Sequence, residues 1–344
     1  MEHQAKSIEK LRLVHDIQNQ FQLPDAVKNS LENQLSADEK DHFDRFVTGF
    51  RIEDWFEWIF SSIPWVMLIH ALDQQQFPSR SKQHYQVADF LLLVETTSLK
   101  HQPLLVEVKR VARQKQCLKL RHSQLSILKS YSDALRIPLV FAIYWENFNG
   151  WTLNTADSFE MKSSVSKLSF TKALELDCSL ILGDVSYFVP ESLHRESTFS
   201  SRENATSTVS HRELGALVSD VLSVRSQASN QTITLTTPES AALDAMISWR
   251  VHEARTTSDH TTNLLQSPDD LYLPKLSSWI MRHLAIFGVQ PSEQFASLCA
   301  NVITDLMDKV GMPPMHMFPG AQTKELAILE QLFFGDEGSG HERS

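Results

Sequence analysis

The chain has 344 residues, 42% of them hydrophobic, which suffices for one large core or two modest ones and excludes a mainly disordered protein. Its formal net charge of −10 argues at first sight against a nucleic-acid partner, and three widely separated cysteines, Cys117, Cys178 and Cys299, exclude a disulfide framework and a cysteine-rich zinc site. The opening MEHQAKSIEK is charged, and the most hydrophobic stretch, 55–72, is broken by Glu57, Pro64 and His70. An intracellular, cytoplasmic protein with no export signal and no membrane span is therefore expected.

In chain order, residues 1–40 read as an N-terminal helical segment, with Ser36 and Glu39 at the spacing of a capping box. RIEDWFEWIFSSIPWVMLIHAL (51–72) then carries apolar residues at helical spacing, on a helix that Pro64 should kink or end. The period changes after that. VADFLLLVE (87–95) and PLLVEVK (103–109) are short apolar runs joined by polar residues, the pattern of two neighbouring strands. A helix is expected over about 114–135, a third strand at PLVFAIYW (138–145), a turn at NFNGW (147–151) and a further strand at LILGDVSYFV (180–189).

Strand, strand, helix, strand is an α/β order. Residues 193–212, rich in Ser, Thr and charge, read as a linker. Beyond it, 213–330 reads as an acidic, mostly helical module, with helices beginning near Glu213, after Thr237-Pro238, after Ser267-Pro268 and after Pro291-Ser292, the last stopping near Gly311. A disordered tail is expected over 331–344.

Charge is unevenly placed. Residues 85–212 carry 15 Lys and Arg against 13 Asp and Glu, and are the one net positive third. Within them Lys109, Arg110, Arg113, Lys115, Lys119, Arg121 and Lys129 follow one another with no acid until Asp133. Screening limits each charge to about 8–10 Å, so such a stripe can serve a phosphate backbone on an acidic protein. It can equally be a solvated helix face.

The chemistry concentrates where the apolar run LLVEVKR ends in charge. In a strand, Glu107 and Lys109 project from one face while Val108 points into the opposite layer. If the two runs pair as a hairpin, Asp89 at the start of the first lies close to Glu107 near the end of the second. Two adjacent carboxylates repel unless a cation lies between them. Mg²⁺ prefers hard oxygen ligands, and one or two carboxylates commonly hold it beside substrate phosphates. A lysine alongside can steady a water or the charge developing on a phosphate. These residues thus point to metal-assisted attack on a phosphodiester, against the plainer alternative of an exposed strand-end ion pair worth at most about 1 kcal/mol.

Asp89, followed after seventeen residues by Glu107-Val108-Lys109 at the end of an apolar strand, resembles the PD-(D/E)XK nuclease superfamily over roughly residues 50–150. Ala88 stands where that family's name-giving Pro would be. The resemblance implies a restriction-endonuclease-like mixed sheet flanked by helices, with a catalytic domain over 41–192. It implies Mg²⁺ (Mn²⁺ substituting) on Asp89 and Glu107 with the Val108 carbonyl as a further ligand, and Lys109 assisting the water. It also implies a helical carboxylate, Glu57 or its rival Glu53, and a supporting Gln124. Arg110, Arg113, Lys115, Lys119 and Arg121 would contact phosphates, with DNA favoured over RNA and products bearing 5′-phosphate and 3′-hydroxyl.

The acidic C-terminal helices would then bind a protein partner or a second copy, as in an endonuclease subunit for defence, mobile-element or repair work. The alternative is an inactive nuclease-fold scaffold that binds nucleic acid and partners. Two other D/E-x-K triplets, Glu160-Met161-Lys162 and Asp38-Glu39-Lys40, do not end apolar runs. Fourteen histidines form no HExxH, and neither a GxSxG elbow nor a glycine-rich phosphate loop is present.

Overall fold

The computed structural model describes residues 51–73, 76–95, 101–162, 164–189, 192–201, 210–225, 230–257, 260–270, 272–287, 292–310 and 314–315. The expectations for the segment 1–40, its Ser36–Glu39 box and the tail 331–344 lie outside these residues. The described residues divide into two compact units, one of 51–61 and Trp65–Gly183, the other of Ser62–Pro64 and 184–315.

In the first unit, helix α1 (51–61) buries Ile52, Phe56, Ile59 and Phe60, one face at 3.6-residue spacing. Phe56 packs on Phe60, Phe90 and Trp151 with ring centroids 4.5, 5.3 and 5.8 Å apart. The helix stops before Pro64, and VMLIHA becomes strand β1 (Val66–Ala71) rather than more helix. An apolar run this short does not reveal its period; pairing with β2 (Phe90–Val94) decides it.

Strand β2 forms an antiparallel hairpin with β3 (Gln102–Val111), with Phe90 opposite Val106. β3 runs parallel to β5 (Leu139–Trp145), which pairs antiparallel with β6 (Gly150–Thr155), so the sheet order is β1-β2-β3-β5-β6. Every residue of β5 is buried, as in a strand covered on both faces.

Between β3 and β5 the single expected helix over 114–135 is instead a strand followed by a helix, β4 (Cys117–Arg121) and α2 (His122–Leu135). CLKLR alternates, with Leu118 and Leu120 buried and Lys119 and Arg121 exposed, a period of two that the basic residues mask. β4 pairs with β8 (Val165–Ser169), which also pairs with β7 (Glu160–Lys162), and helix α3 (Phe170–Glu175) follows. Leu125 and Leu128 of α2 join Leu105, Val111, Leu139, Phe141, Ile143 and Trp145 in one core cluster. Each such side chain contributes about 1.5–3 kcal/mol on burial, so apolar packing is what holds the charged end of β3 in place.

LILGDVSYFV is not one strand: Ser179–Leu182 form a 3-10 turn closed by Gly183, and only β9 (Ser186–Phe188), in the second unit, is extended. β9 pairs with β16 (Tyr272–Leu273) and β17 (Pro314–Met315). The expected linker 193–212 contains strand β10 (Leu193–Ser200), and much of the expected helical module is sheet. β10, β11 (Ser210–His211), β12 (Gly215–Arg225), β13 (Asn230–Thr234), β14 (Trp249–Thr256) and β15 (Thr261–Pro268) make a six-stranded antiparallel sheet.

The inward positions of β10 are polar, which hides its alternation: Arg195 and Ser197 are buried, and Arg195 is paired with buried Asp220 at 2.5 Å and stacked over Trp249. Gly215, at φ +89°, admits no side chain, because a Cβ would meet the Ser200 carbonyl oxygen at 2.2 Å. Helices α4 (Thr237–Met246), α5 (Leu276–Phe287) and α6 (Glu293–Val310) complete the second unit. No helix among the described residues is long and apolar enough to cross a membrane.

Candidate active site

Hairpin register sets the site. Because Phe90 faces Val106, Asp89 arrives beside Glu107, and its Oδ2 accepts the Val108 N–H at 2.7 Å. Glu107 and Lys109 share the β3 face of Leu105 and Val111, which α2 covers. Lys109 Nζ donates to Glu107 Oε1 at 2.5 Å and to the Val108 carbonyl at 2.9 Å. Gln86, absent from the residues singled out in the sequence, donates to the same Oε1 at 3.3 Å. Glu107 Oε2 has no hydrogen-bond partner among the described residues.

This is not an exposed ion pair. Glu107 is 1% exposed, and burial first, then Asp89 and Glu53, push its carboxyl up to about 8 against the opposing pull of Lys109. Lys109 is held above its ordinary value: burial, the largest single influence, lowers it, but Glu107, Asp89 and Glu53 together outweigh that. Near neutral pH, without a cation, Glu107 therefore favours its protonated form, and a cation placed beside it would draw that proton off.

Glu57 is exposed on α1, and it is Glu53, half-buried one turn earlier, whose charge acts on both Glu107 and Lys109. Each follows a buried residue by one position, Ile52 and Phe56 respectively. Sequence periodicity marks both as flanking the apolar face and does not rank them.

Lys109 and Gln124 line one cleft of about 590 Å³ together with Arg110, Lys115, Gln116, Lys119 and the backbone around them. Lys109 thus connects the buried carboxylate to an open cleft. Arg110 is engaged by Glu146 at 2.6 Å, and the same Glu146 oxygen accepts the Arg113 N–H at 3.1 Å. Lys119 lies directly opposite Lys167 across β4 and β8, and Glu160 of β7 stands opposite Lys167 on its other side, offsetting part of the like-charge repulsion. Arg121 lies on the same exposed side of β4 as Lys119. Lys167 escaped notice in the sequence because only pairing brings it to Lys119.

No group of three or more His, Cys, Asp or Glu side chains arranged for a metal occurs among the described residues. Two carboxylates and a backbone carbonyl are the kinds of oxygen donor Mg²⁺ takes while it retains several waters. The buried Oε2 of Glu107, without a proton donor, is the hard oxygen such an ion requires.

No protein-family model matches the chain, and neither does any curated protein. Among solved structures, the chain is similar to the Holliday junction resolvase Hjc of the archaeal hyperthermophile Archaeoglobus fulgidus, at 14% identity and a TM-score of 0.30, over 40% of this chain and 96% of that one. A likeness of that size decides neither family nor reaction, so the chemistry rests on the geometry of the site.

Proposed function

We propose that the first unit hydrolyses phosphodiester bonds of nucleic acid with a divalent cation, Mg²⁺ or Mn²⁺. The carrying observation is Glu107, a carboxyl group buried near the end of a central strand, with one oxygen that has no hydrogen-bond partner among the described residues and with the Asp89 carboxylate beside it. Asp89, Glu107 and the Val108 carbonyl would hold the cation, and Glu53 rather than Glu57 would be the helical carboxylate. When bound, the ion supplies positive charge against the phosphate and makes water a better nucleophile near neutral pH.

The protein's own residues do the rest. Asp89 locks the β2–β3 corner through the Val108 amide, so that both carboxylates are presented from fixed backbone. Gln86 and Lys109 share one oxygen of Glu107 and orient it. The Lys109 ammonium, bordering the cleft, orients the attacking water by hydrogen bond and balances charge that grows on the phosphoryl oxygens. Gln124, Arg110, Arg113, Lys115, Lys119 and Arg121 position the strand by its phosphates.

Plasmid, linear, single-stranded and branched DNA incubated with the purified protein and Mg²⁺ or Mn²⁺ test the proposal. Cleavage that Lys109→Ala and Asp89→Ala abolish supports it, and cleavage that survives both variants moves the chemistry elsewhere. One observation favours a second reading. Lys109 already satisfies both Glu107 Oε1 and the Val108 carbonyl, so the triad can stand as a structural charge cluster on a binding scaffold. That reading expects salt-dependent binding with no cleavage under any metal.

A further inference from the structure

The turn between β5 and β6 presents a large apolar ring to solvent. Phe148 is 52% exposed. Its inner face lies flat on Phe170, with ring centroids 3.7 Å apart and planes 4° from parallel, and Phe170 in turn packs edge-on against buried Trp145 at 5.1 Å. The Phe170 N–H donates to the Gln116 carbonyl at 3.1 Å, and Gln116 lines the cleft with Lys109, Lys115 and Lys119. Two residues before Phe148, Glu146 binds the side chain of Arg110 and the backbone of Arg113. The turn is anchored from within as well: the Phe148 N–H donates to the Trp145 carbonyl, and Tyr144 donates to Asn149.

A flat, anchored aromatic face joined through Phe170 and Gln116 to a basic cleft suits neither an apolar protein partner nor an intact duplex, whose bases are already stacked. It suits a strand whose phosphates lie along cations while an unpaired base covers the ring.

We propose that Phe148 is a base-stacking platform at the rim of the basic cleft, so that the nucleic acid engaged there carries an unpaired base, as in a single strand, a flap or a branch point. The inference rests on the hydrolase reading for its choice of partner and extends it to substrate class. Its test is run without hydrolysis. The full-length protein in EDTA is titrated with oligothymidylate carrying one 2-aminopurine, and with a blunt duplex.

Phe148→Ala weakens binding of the single strand by about 5- to 150-fold, the range for loss of one base–aromatic stack, and changes duplex binding by less than about twofold. Phe148→Leu, which keeps an apolar contact on Phe170, shows the same loss, and Phe148→Trp restores affinity. The 2-aminopurine fluorescence is quenched by the wild type and the Trp variant only. Equal affinity of wild type and Phe148→Leu, an equal loss on duplex and single strand, missing quench, or failure of the wild type to bind the single strand each overturns the proposal. Stacking without cleavage under Mg²⁺ defeats the hydrolase reading alone, and cleavage of duplex without stacking defeats this one alone.

Discussion

The chain carries the same triplet in two strands of its first unit, Glu107-Val108-Lys109 in β3 and Glu160-Met161-Lys162 in β7, and folding treats them oppositely. β3 is an interior strand of the five-stranded sheet, whereas β7 is at the edge of a three-stranded one and is exposed at all three positions. In the first, Glu107 is stripped of water, repelled by Asp89 and pressed against Lys109; in the second, Glu160 faces solvent opposite Lys167. Burial raises the cost of leaving a pair of charges unbalanced, and the apolar residues before Glu107 supply that burial.

The largest expected contrast is in cleavage. Lys109→Ala, Asp89→Ala or Glu107→Ala each lowers the rate by about 10²- to 10³-fold, the usual effect of removing one group that stabilises transition-state charge, while Lys162→Ala stays within about twofold. Gel-resolved initial rates on one substrate measure both. Matching losses at 109 and 162 would erase the distinction.

Next comes stability. Lys109→Met leaves Glu107 buried without its ammonium and is expected to cost about 3 kcal/mol in urea unfolding of the metal-free protein. Lys162→Met removes a solvated charge and should stay within about 0.5 kcal/mol. A Lys109→Met variant as stable as the wild type would mean that the triad is not electrostatically strained.

Mg²⁺ sharpens the contrast from the other side. At a hundredfold excess over its dissociation constant, an ion that binds only the folded protein adds about 2.7 kcal/mol, visible as a rise in Tm. The rise should vanish in Asp89→Ala and Glu107→Ala and persist in Glu160→Ala. Persistence in all three would locate the cation elsewhere.

What made the first triplet readable was its setting. VADFLLLVE and PLLVEVK are continuous enough to declare buried strands, and a hairpin then necessarily brings Asp89 to Glu107. The start of α6 was equally plain, since Ser292 before it accepts the Phe295 N–H at 3.2 Å, and its end at Val310 adjoins Gly311. Strand β4 was hidden because Lys and Arg suit an exposed helix face as well as an exposed strand face. β10 was hidden because its inward positions are Arg195 and Ser197, which look like linker residues until Asp220 arrives from another strand. Gln86 and Lys167 bear on the site through distances that no local pattern encodes, and the same holds for the choice of Glu53 over Glu57, both of which the sequence offers. Phe148 gave no signal at all, because a lone aromatic in a turn looks the same whether it is anchored or loose.

The smallest effects distinguish the lysines around the second triplet. Lys119 and Lys167 face each other across β4 and β8, and like charges so placed destabilise a sheet. Lys119→Thr, which keeps a strand-forming residue, is therefore expected to raise the urea midpoint slightly while weakening DNA binding and reducing the slope of log K against log salt by about one unit. Lys162→Thr pairs with no lysine and should leave the slope unchanged. The opposed signs at Lys119 are the informative part: a side chain that costs stability where it stands and contributes affinity for a polyanion is placed for the partner, whereas a change of the same sign in both measurements would make Lys119 an ordinary solvated residue of the strand.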